Sequence, residues 1–128
     1  RKEIPGNLAA RLNAAIWREC IQMVLDGVLD VEDIDRAVSV GPALSLAASG
    51  PNLAHHLAAG EWGVEVSLSK LLGTYEGIWK SLAEWKQLSH EDQKRLIKLV
   101  DKSYSRHVSE LREARDQRLV RLLEAMRE

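Results

Sequence analysis

The chain has 128 residues, of which 45% are hydrophobic and 29% are charged, and its formal net charge is −1. These values are typical of one globular domain and exclude a disordered chain. The near-neutral charge offers no field to hold nucleic acid or an anionic membrane surface, so neither is expected as a partner. No apolar run approaches the roughly 20 residues needed to span a bilayer.

The cysteine content and the first residues predict an intracellular setting. Cys20 is the only cysteine, which excludes an intramolecular disulfide and a cysteine-based zinc site. Only four residues, mostly charged, precede Pro5, and no apolar run with a cleavage site follows. We therefore expect no targeting peptide and a cytoplasmic location.

Apolar residues recur at steps of three and four along most of the chain, whereas period-two alternation is almost missing. This pattern predicts an all-α fold. The first helix is predicted to begin after Pro5 and to stop at Gly27, which is suited to a left-handed C-cap. Its apolar stripe is formed by Leu8, Leu12, Ile16, Cys20 and Met23 and is widened by Trp17, Ile21 and Val24.

Capping signals predict two further helices. Asp30 is the predicted N-cap of a helix that ends at Gly41-Pro42 and turns Ile34, Ala37 and Val38 inward. Residues 43–49 are small and apolar but too few to predict a helix. Gly50-Pro51 starts the next helix, which carries Leu53 and Leu57 and ends near Gly60.

The second half of the sequence predicts helices with bulkier apolar faces. A helix through Val64, Leu68, Leu71 and Leu72 pauses at Gly73, and Tyr75, Ile78, Trp79, Leu82 and Trp85 then recur at helical spacing. Ser89 to Asp92 resembles a capping box that opens a helix burying Leu96, Leu99 or Val100, Ser103 and Tyr104. The last helix carries Leu111, Leu119, Leu122, Leu123 and Met126 on one side. A break near Val108-Ser109 is predicted, with one continuous helix as the alternative.

No motif for catalysis, nucleotide binding or metal binding is complete in this sequence. A Gly-x-Gly-x-x-Gly turn, a phosphate loop, a zinc-protease motif and a nucleophile elbow are all missing. His55 and His56 are adjacent and point about 100° apart on a helix, so we expect one packed and one exposed rather than a metal site. Cys20 lies on an apolar stripe, where a thiol behaves as a small hydrophobe with an unperturbed or raised pKa.

A set of short motifs in one order resembles a known family. They are residues 5–12, Trp17-Arg18-Glu19, Asp26-Gly27-Val28, residues 32–37 and residues 50–57, which begin Gly-Pro-Asn-Leu. Their order and spacing are similar to the C-terminal domain of the 3-hydroxyacyl-CoA dehydrogenases. The segments 79–85 and 110–120 resemble the branch with carnitine dehydrogenase-like and related β-hydroxy acid enzymes.

This resemblance implies a bundle-like helical domain of the kind found at the C-terminus of 6-phosphogluconate dehydrogenase. It implies a two-part oxidoreductase of fatty acid or related metabolism, in which an upstream Rossmann domain, absent from residues 1–128, binds NAD and supplies a catalytic His–Glu pair. The present single domain would then dimerise and form one wall of the substrate cleft. It would bind no cofactor and be inactive alone.

The resemblance also implies where substrate contacts lie. The family usually has an Asn before the Arg in the first helix, facing the reaction centre, whereas this chain has Ala10 before Arg11. Because alanine has no side-chain donor, the change puts the usual substrate class and activity in question. Asn7, on the same helical face, is the candidate replacement, and Asn52 and His55 are further candidates for substrate binding. The alternative roles are a surface or interdomain ion pair for Arg11 and first-turn capping for Asn52.

The residues alone also allow a different class of function. The chain would then be a stand-alone helical oligomerisation or interaction module using Trp79, Trp85 and the terminal helix. A Gly-x-Gly-x-x-Gly turn about 180 residues upstream would favour the dehydrogenase. Both hypotheses predict a homodimer, because a monomer would leave a large apolar patch exposed.

Overall fold

The computed structural model describes residues 4–104 and 108–127, and these ranges contain helices and no strand. The predicted all-α class is therefore confirmed. The helices are α1 (Leu8–Leu25), α2 (Val31–Val40), α3 (Pro42–Ser49), α4 (Pro51–Leu57), α5 (Gly63–Trp79), α6 (His90–Tyr104) and α7 (Val108–Ala125), with a 3-10 turn at Gly60–Trp62. The break predicted near Val108 adjoins residues 105–107, which lie outside the described residues.

Both ends of α1 follow from side-chain and backbone capping. The side-chain oxygen of Asn7 accepts the N–H of Ala10 at 2.8 Å, which satisfies one free donor of the first turn. At the other end Gly27 has a φ of +69°, and the N–H of Val28 donates to the carbonyl of Met23 at 2.9 Å. This is the Schellman arrangement, and it confirms the predicted stop at Gly27.

The caps of α2 and α6 differ from each other. Ser89 accepts the N–H of Asp92 at 3.1 Å and donates its hydroxyl to the carboxylate of Asp92 at 2.7 Å, which confirms a capping interaction at the start of α6. Asp30 occupies the predicted N-cap of α2, but its side chain makes no capping hydrogen bond. The carboxylates of Glu32 and Asp33 lie in the first turn of α2, where they interact favourably with the positive end of the helix dipole.

The core lies where α1, α2 and α6 meet. Val24, Val31 and Ile34 are buried, and the partly buried residues around them are Cys20, Met23, Val38, Leu96, Leu99 and Tyr104. Leu8, Leu12 and Ile16 share the apolar stripe of α1 but are exposed, because α2 and α6 cover only its C-terminal half. Ala37, predicted to face inward, is also exposed.

Three predicted elements are wrong in detail. Residues 42–49 form α3, with Pro42 in its first turn and Gly50 at φ +70° after it. The predicted pause at Gly73 does not occur, because α5 runs through it to Trp79. Leu82 and Trp85 lie in the non-helical 80–89 segment between α5 and α6.

A second layer is formed by α4, the 3-10 turn and α5. The ring of His56 accepts the N–H of Val64 through Nδ1 at 3.2 Å and so caps α5. His55 stands edge-on to Tyr75, with ring centroids 5.3 Å apart. Both histidines are exposed residues, so the prediction that one of them is packed is wrong.

The chain exposes far more surface than a compact monomer of its size. Its accessible surface is 11200 Å², whereas a folded monomer of 14.4 kDa exposes about 6,800 Å². Much of the difference is apolar, because large hydrophobic side chains of α1, α5 and α7 are exposed. None of the described helices combines the length and apolarity needed to cross a membrane.

Candidate functional site

The start of α1 is shaped by a turn at Pro5-Gly6. Gly6 has a φ of +74°, a conformation that glycine adopts without strain. The turn brings the carbonyl of Pro5 to within 3.2 Å of Nη1 of Arg11, which donates a hydrogen bond to it. The guanidinium of Arg11 is thereby positioned beside the helix start.

The 80–89 segment is attached to the side of α1 that carries its polar residues. The N–H of Ala83 donates to the carboxylate of Glu19 at 2.9 Å, and the indole N–H of Trp85 donates to the side-chain oxygen of Gln22 at 2.8 Å. Gln22 in turn donates to Asp26 at 2.8 Å, which fixes its amide orientation. These contacts hold the non-helical segment across α1.

A groove of about 810 Å³ lies between the start of α1 and the 80–89 segment. We call it the α1 groove. Its lining is mostly small, aromatic or basic, and it comprises Pro5, Gly6, Ala10, Arg11, Ala14, Ala15, Trp17, Arg18, Ile21, Trp85, Lys86, Leu88 and Gln93. The volume is in the range of small-molecule binding sites.

The lining of the α1 groove favours an organic anion. Arg11, Arg18 and Lys86 place three positive charges around it, and none of the described lining residues is acidic. A guanidinium can donate two parallel hydrogen bonds to a carboxylate. Trp17 and Trp85 supply aromatic surface for the rest of such a ligand.

Apart from the amine of Lys86, the described lining residues carry no side chain that commonly performs acid–base or nucleophilic chemistry. Among its described residues there is no His, Asp, Glu, Cys, Ser or Tyr. A groove of this composition binds and orients a ligand but requires reactive groups from elsewhere.

The structure separates the five sequence-derived site residues into two groups. Ala10 and Arg11 line the α1 groove, and Asn7 lies beside it as the helix cap, with its side-chain oxygen engaged by Ala10. Asn52 and His55 lie on α4, and within the described part of the chain α4 does not pack against α1. One copy therefore does not bring the two groups together.

The sequence analysis did not single out Trp17, Arg18, Trp85 and Lys86 as substrate-binding residues, although it placed Trp85 on a possible interaction surface. Arg18 had a usable signal, because it follows Arg11 by seven residues and so shares its helical face. Trp85 and Lys86 had no local signal, since only their attachment to α1 places them at the groove.

A second cavity, of about 320 Å³, lies between the start of α2 and α6. It is lined by Asp30, Glu32 and Asp33 together with Lys102. In the described residues no three potential ligands among His, Cys, Asp and Glu are grouped to hold a metal ion. The α1 groove is the larger of these two cavities and combines cations with apolar surface, so we take it as the candidate site.

Among the described residues, Cys20 and Tyr104 have clearly shifted pKa values, and neither lines the α1 groove. Burial, followed by the charges of Asp35 and Glu19, raises the pKa of the Cys20 thiol, as one of the sequence alternatives predicted. Burial and a 2.5 Å hydrogen bond from the Tyr104 hydroxyl to Asp35 raise the pKa of Tyr104 to about 12. Both groups belong to the packing of α1, α2 and α6.

Comparisons with known proteins agree with the resemblance drawn from the motifs. The chain is 35% identical over 124 residues to L-carnitine dehydrogenase of Oceanobacillus iheyensis, covering 96% of this chain and 40% of that protein. It is 35% identical over 128 residues to the enzyme of the same name from Nocardiopsis dassonvillei, covering 99% and 39%.

A third L-carnitine dehydrogenase, from Bacillus cereus, is 32% identical over 125 residues, covering 97% of this chain and 38% of the relative. The chain thus spans about two fifths of the length of these curated relatives. A family model described as 3-hydroxyacyl-CoA dehydrogenase, C-terminal domain, matches residues 6–99. The chain belongs to the 3-hydroxyacyl-CoA dehydrogenase family, in which it corresponds to the C-terminal domain.

Proposed function

We propose that this chain forms one wall of the substrate cleft in an NAD-dependent dehydrogenase, and that the substrate is a small 3-hydroxy acid with a free carboxylate. The observation that carries the proposal is the α1 groove, in which Arg11, Arg18 and Lys86 surround an aromatic and small-residue lining. These cations would bind the carboxylate and so orient the hydroxyl-bearing carbon.

The relatives support this substrate class. The proteins that match nearly the whole chain are L-carnitine dehydrogenases, and carnitine is a 3-hydroxy acid with a free carboxylate. Ala10 adds a second argument, because it removes the side-chain donor that members of the family usually place beside the substrate. Arg11, next to it, offers charge-assisted donors suited to a carboxylate.

We propose that NAD binds outside this chain. The sequence has no glycine-rich phosphate turn after a strand, and the described residues contain no strand at all. We therefore assign NAD and the reactive groups to an upstream domain, which would account for the remaining three fifths of the relatives' length. The part played by this chain is to bind and orient the acid and to exclude water.

We further propose that the domain forms a homodimer. The accessible surface of 11200 Å² exceeds that of a compact monomer by about 4,400 Å². An obligate homodimer buries about 1,000–2,500 Å² on each partner. Contact with an upstream domain accounts for part of the excess, and a second copy for much of the rest.

The experiment for the enzymatic proposal uses the full-length protein that contains this chain. NADH formation is measured at 340 nm with L-carnitine and 3-hydroxybutyrate, and with 3-hydroxybutyryl-CoA as the thioester control. We expect oxidation of at least one free acid and a lower kcat/KM for the thioester. Preference for the thioester would overturn the substrate class, and no NAD-linked activity with any of the three would favour an interaction module.

A further inference from the structure

Helix α5 carries an uncovered apolar stripe along its whole length. Val64, Leu68, Leu71, Tyr75 and Ile78 recur at alternating steps of four and three, and Leu72 and Trp79 flank them. At 100° per residue these seven side chains occupy about 120° of the helix circumference. Each is between 36% and 53% exposed.

The chain itself covers little of this stripe. Within the described residues, α5 packs against α4 and the 3-10 turn and against no other helix. The edge of His55 touches Tyr75, but every residue from 68 to 79 is exposed. An apolar helix of this length is stable in water only when something packs against it.

Helix α7 is the second element without a packing partner. No other described helix packs against it. Val108, Leu111, Leu119, Leu122 and Met126 form a stripe within about 80° of its circumference. The one charged position inside this stripe is Arg115, whose guanidinium pairs with Asp116 at 2.6 Å.

The two stripes match in length and chemistry. Helices of 17 and 18 residues are about 25 and 27 Å long. Apart from Arg115, both stripes consist of large aliphatic or aromatic side chains, which interdigitate when two helices pack. A partner helix of the same length as α5 is therefore present in the chain but is not packed against it.

We propose that α7 of one copy packs along the α5 stripe of a second copy, so that the dimer contains two identical, reciprocal helix exchanges. This inference rests on the proposed homodimer and names the surfaces that form it. A two-fold axis makes both exchanges equivalent and closes the assembly. The excess accessible surface is large enough for two such contacts on each chain.

The experiment places Glu on the α7 stripe. The variant L119E/L122E is compared with V120E, which places a single Glu on the same helix about 100° away from Leu119. Val120 is 53% exposed, similar to Leu119 at 50%. Light scattering after size exclusion at tens of micromolar should give a monomer mass for the double variant and a dimer mass for V120E and the wild type.

Mixing two variants tests whether the contact is between copies. L71K/I78K on α5 should also be monomeric. In a mixed dimer, the intact α7 of the α5 variant meets the intact α5 of the α7 variant, and the other contact pairs Lys with Glu. We therefore expect the mixture to regain the dimer mass, with both chains detected in it by native mass spectrometry.

The measurements distinguish failure of the homodimer from failure of the α5–α7 exchange. A wild-type monomer would overturn the homodimer and the exchange together. A wild-type dimer with a dimeric L119E/L122E variant, or with no recovery on mixing, would overturn the α5–α7 exchange alone. Because recovery requires two competent chains, it also excludes misfolding of either variant as the cause of the monomer mass.

Discussion

Trp85 donates its indole N–H to the side-chain oxygen of Gln22 across 2.8 Å, although 63 residues separate them in sequence. Together with the contact from Ala83 to Glu19, this bond attaches the 80–89 segment to α1 and forms one side of the α1 groove. The groove therefore depends on two polar side chains of α1 that make no direct contribution to its charge.

Glu19 is predicted to be the more important of these two attachments. In Glu19→Ala the N–H of Ala83, a residue only 8% exposed, loses its acceptor. Leaving such a donor unpaired costs about 1–3 kcal/mol. Glu19→Gln keeps an acceptor oxygen and should lose clearly less.

Urea titration at one fixed protein concentration gives the free energy of unfolding of both variants. Equal stability of Glu19→Ala and the wild type would show that the 80–89 segment is held to α1 by other contacts.

Gly63 is predicted to resist substitution, whereas Gly73 on the same helix tolerates it. Gly63 has a φ of +65°, and an added Cβ would lie 2.7 Å from Cε1 of His56. Gly63→Ala should therefore destabilise by more than about 1 kcal/mol. An added Cβ at Gly73 meets nothing within 4 Å, so Gly73→Ala should stabilise by about 0.5–1 kcal/mol.

Thermal unfolding followed by circular dichroism distinguishes these two variants. A destabilised Gly73→Ala with an unaffected Gly63→Ala would contradict the described path of the chain into α5.

Tyr104 gives the fold a pH dependence at high pH. Its pKa of about 12 in the folded chain lies above the usual value of 10.0, so the folded state retains the phenolic proton more strongly than the unfolded state. The resulting stabilisation is complete below pH 10 and is lost as the pH rises toward 12.

Absorbance near 295 nm should show a tyrosine that titrates toward pH 12. In Asp35→Asn the pKa of Tyr104 should fall, because the acceptor charge is removed. The absence of a titration step above pH 10 would contradict the Tyr104–Asp35 contact.

Helices whose ends are set by neighbouring residues could be predicted from the sequence. Gly27 stops α1 and Ser89 starts α6 through contacts within three or four residues, and such local signals are visible in a single chain. The family resemblance implied that Ala10 and Arg11 lie at the substrate site; both line the α1 groove, and their contact with a substrate stays a prediction.

The parts that could not be predicted depend on contacts distant in sequence. Leu82 and Trp85 continue the helical spacing of α5, and no local signal shows that Glu19 and Gln22 hold this segment in a non-helical path. The local sequence also does not predict that the first half of α1 is exposed, because this depends on which part of α1 is covered by α2 and α6. Asn52 and His55 remain candidates whose place at a substrate site is a prediction.

The proposed role of the α1 groove cations is to bind the carboxylate of a hydroxy acid. Steady-state kinetics of the full-length protein with Arg18→Ala and Arg11→Ala measure this role, with Arg121→Ala on α7 as the control outside the groove. We predict that KM for the free acid rises about tenfold or more in both groove variants, because a charge-assisted hydrogen bond is lost, while the control is unchanged. Groove variants with the KM of the wild type would show that Arg11 and Arg18 do not bind the carboxylate.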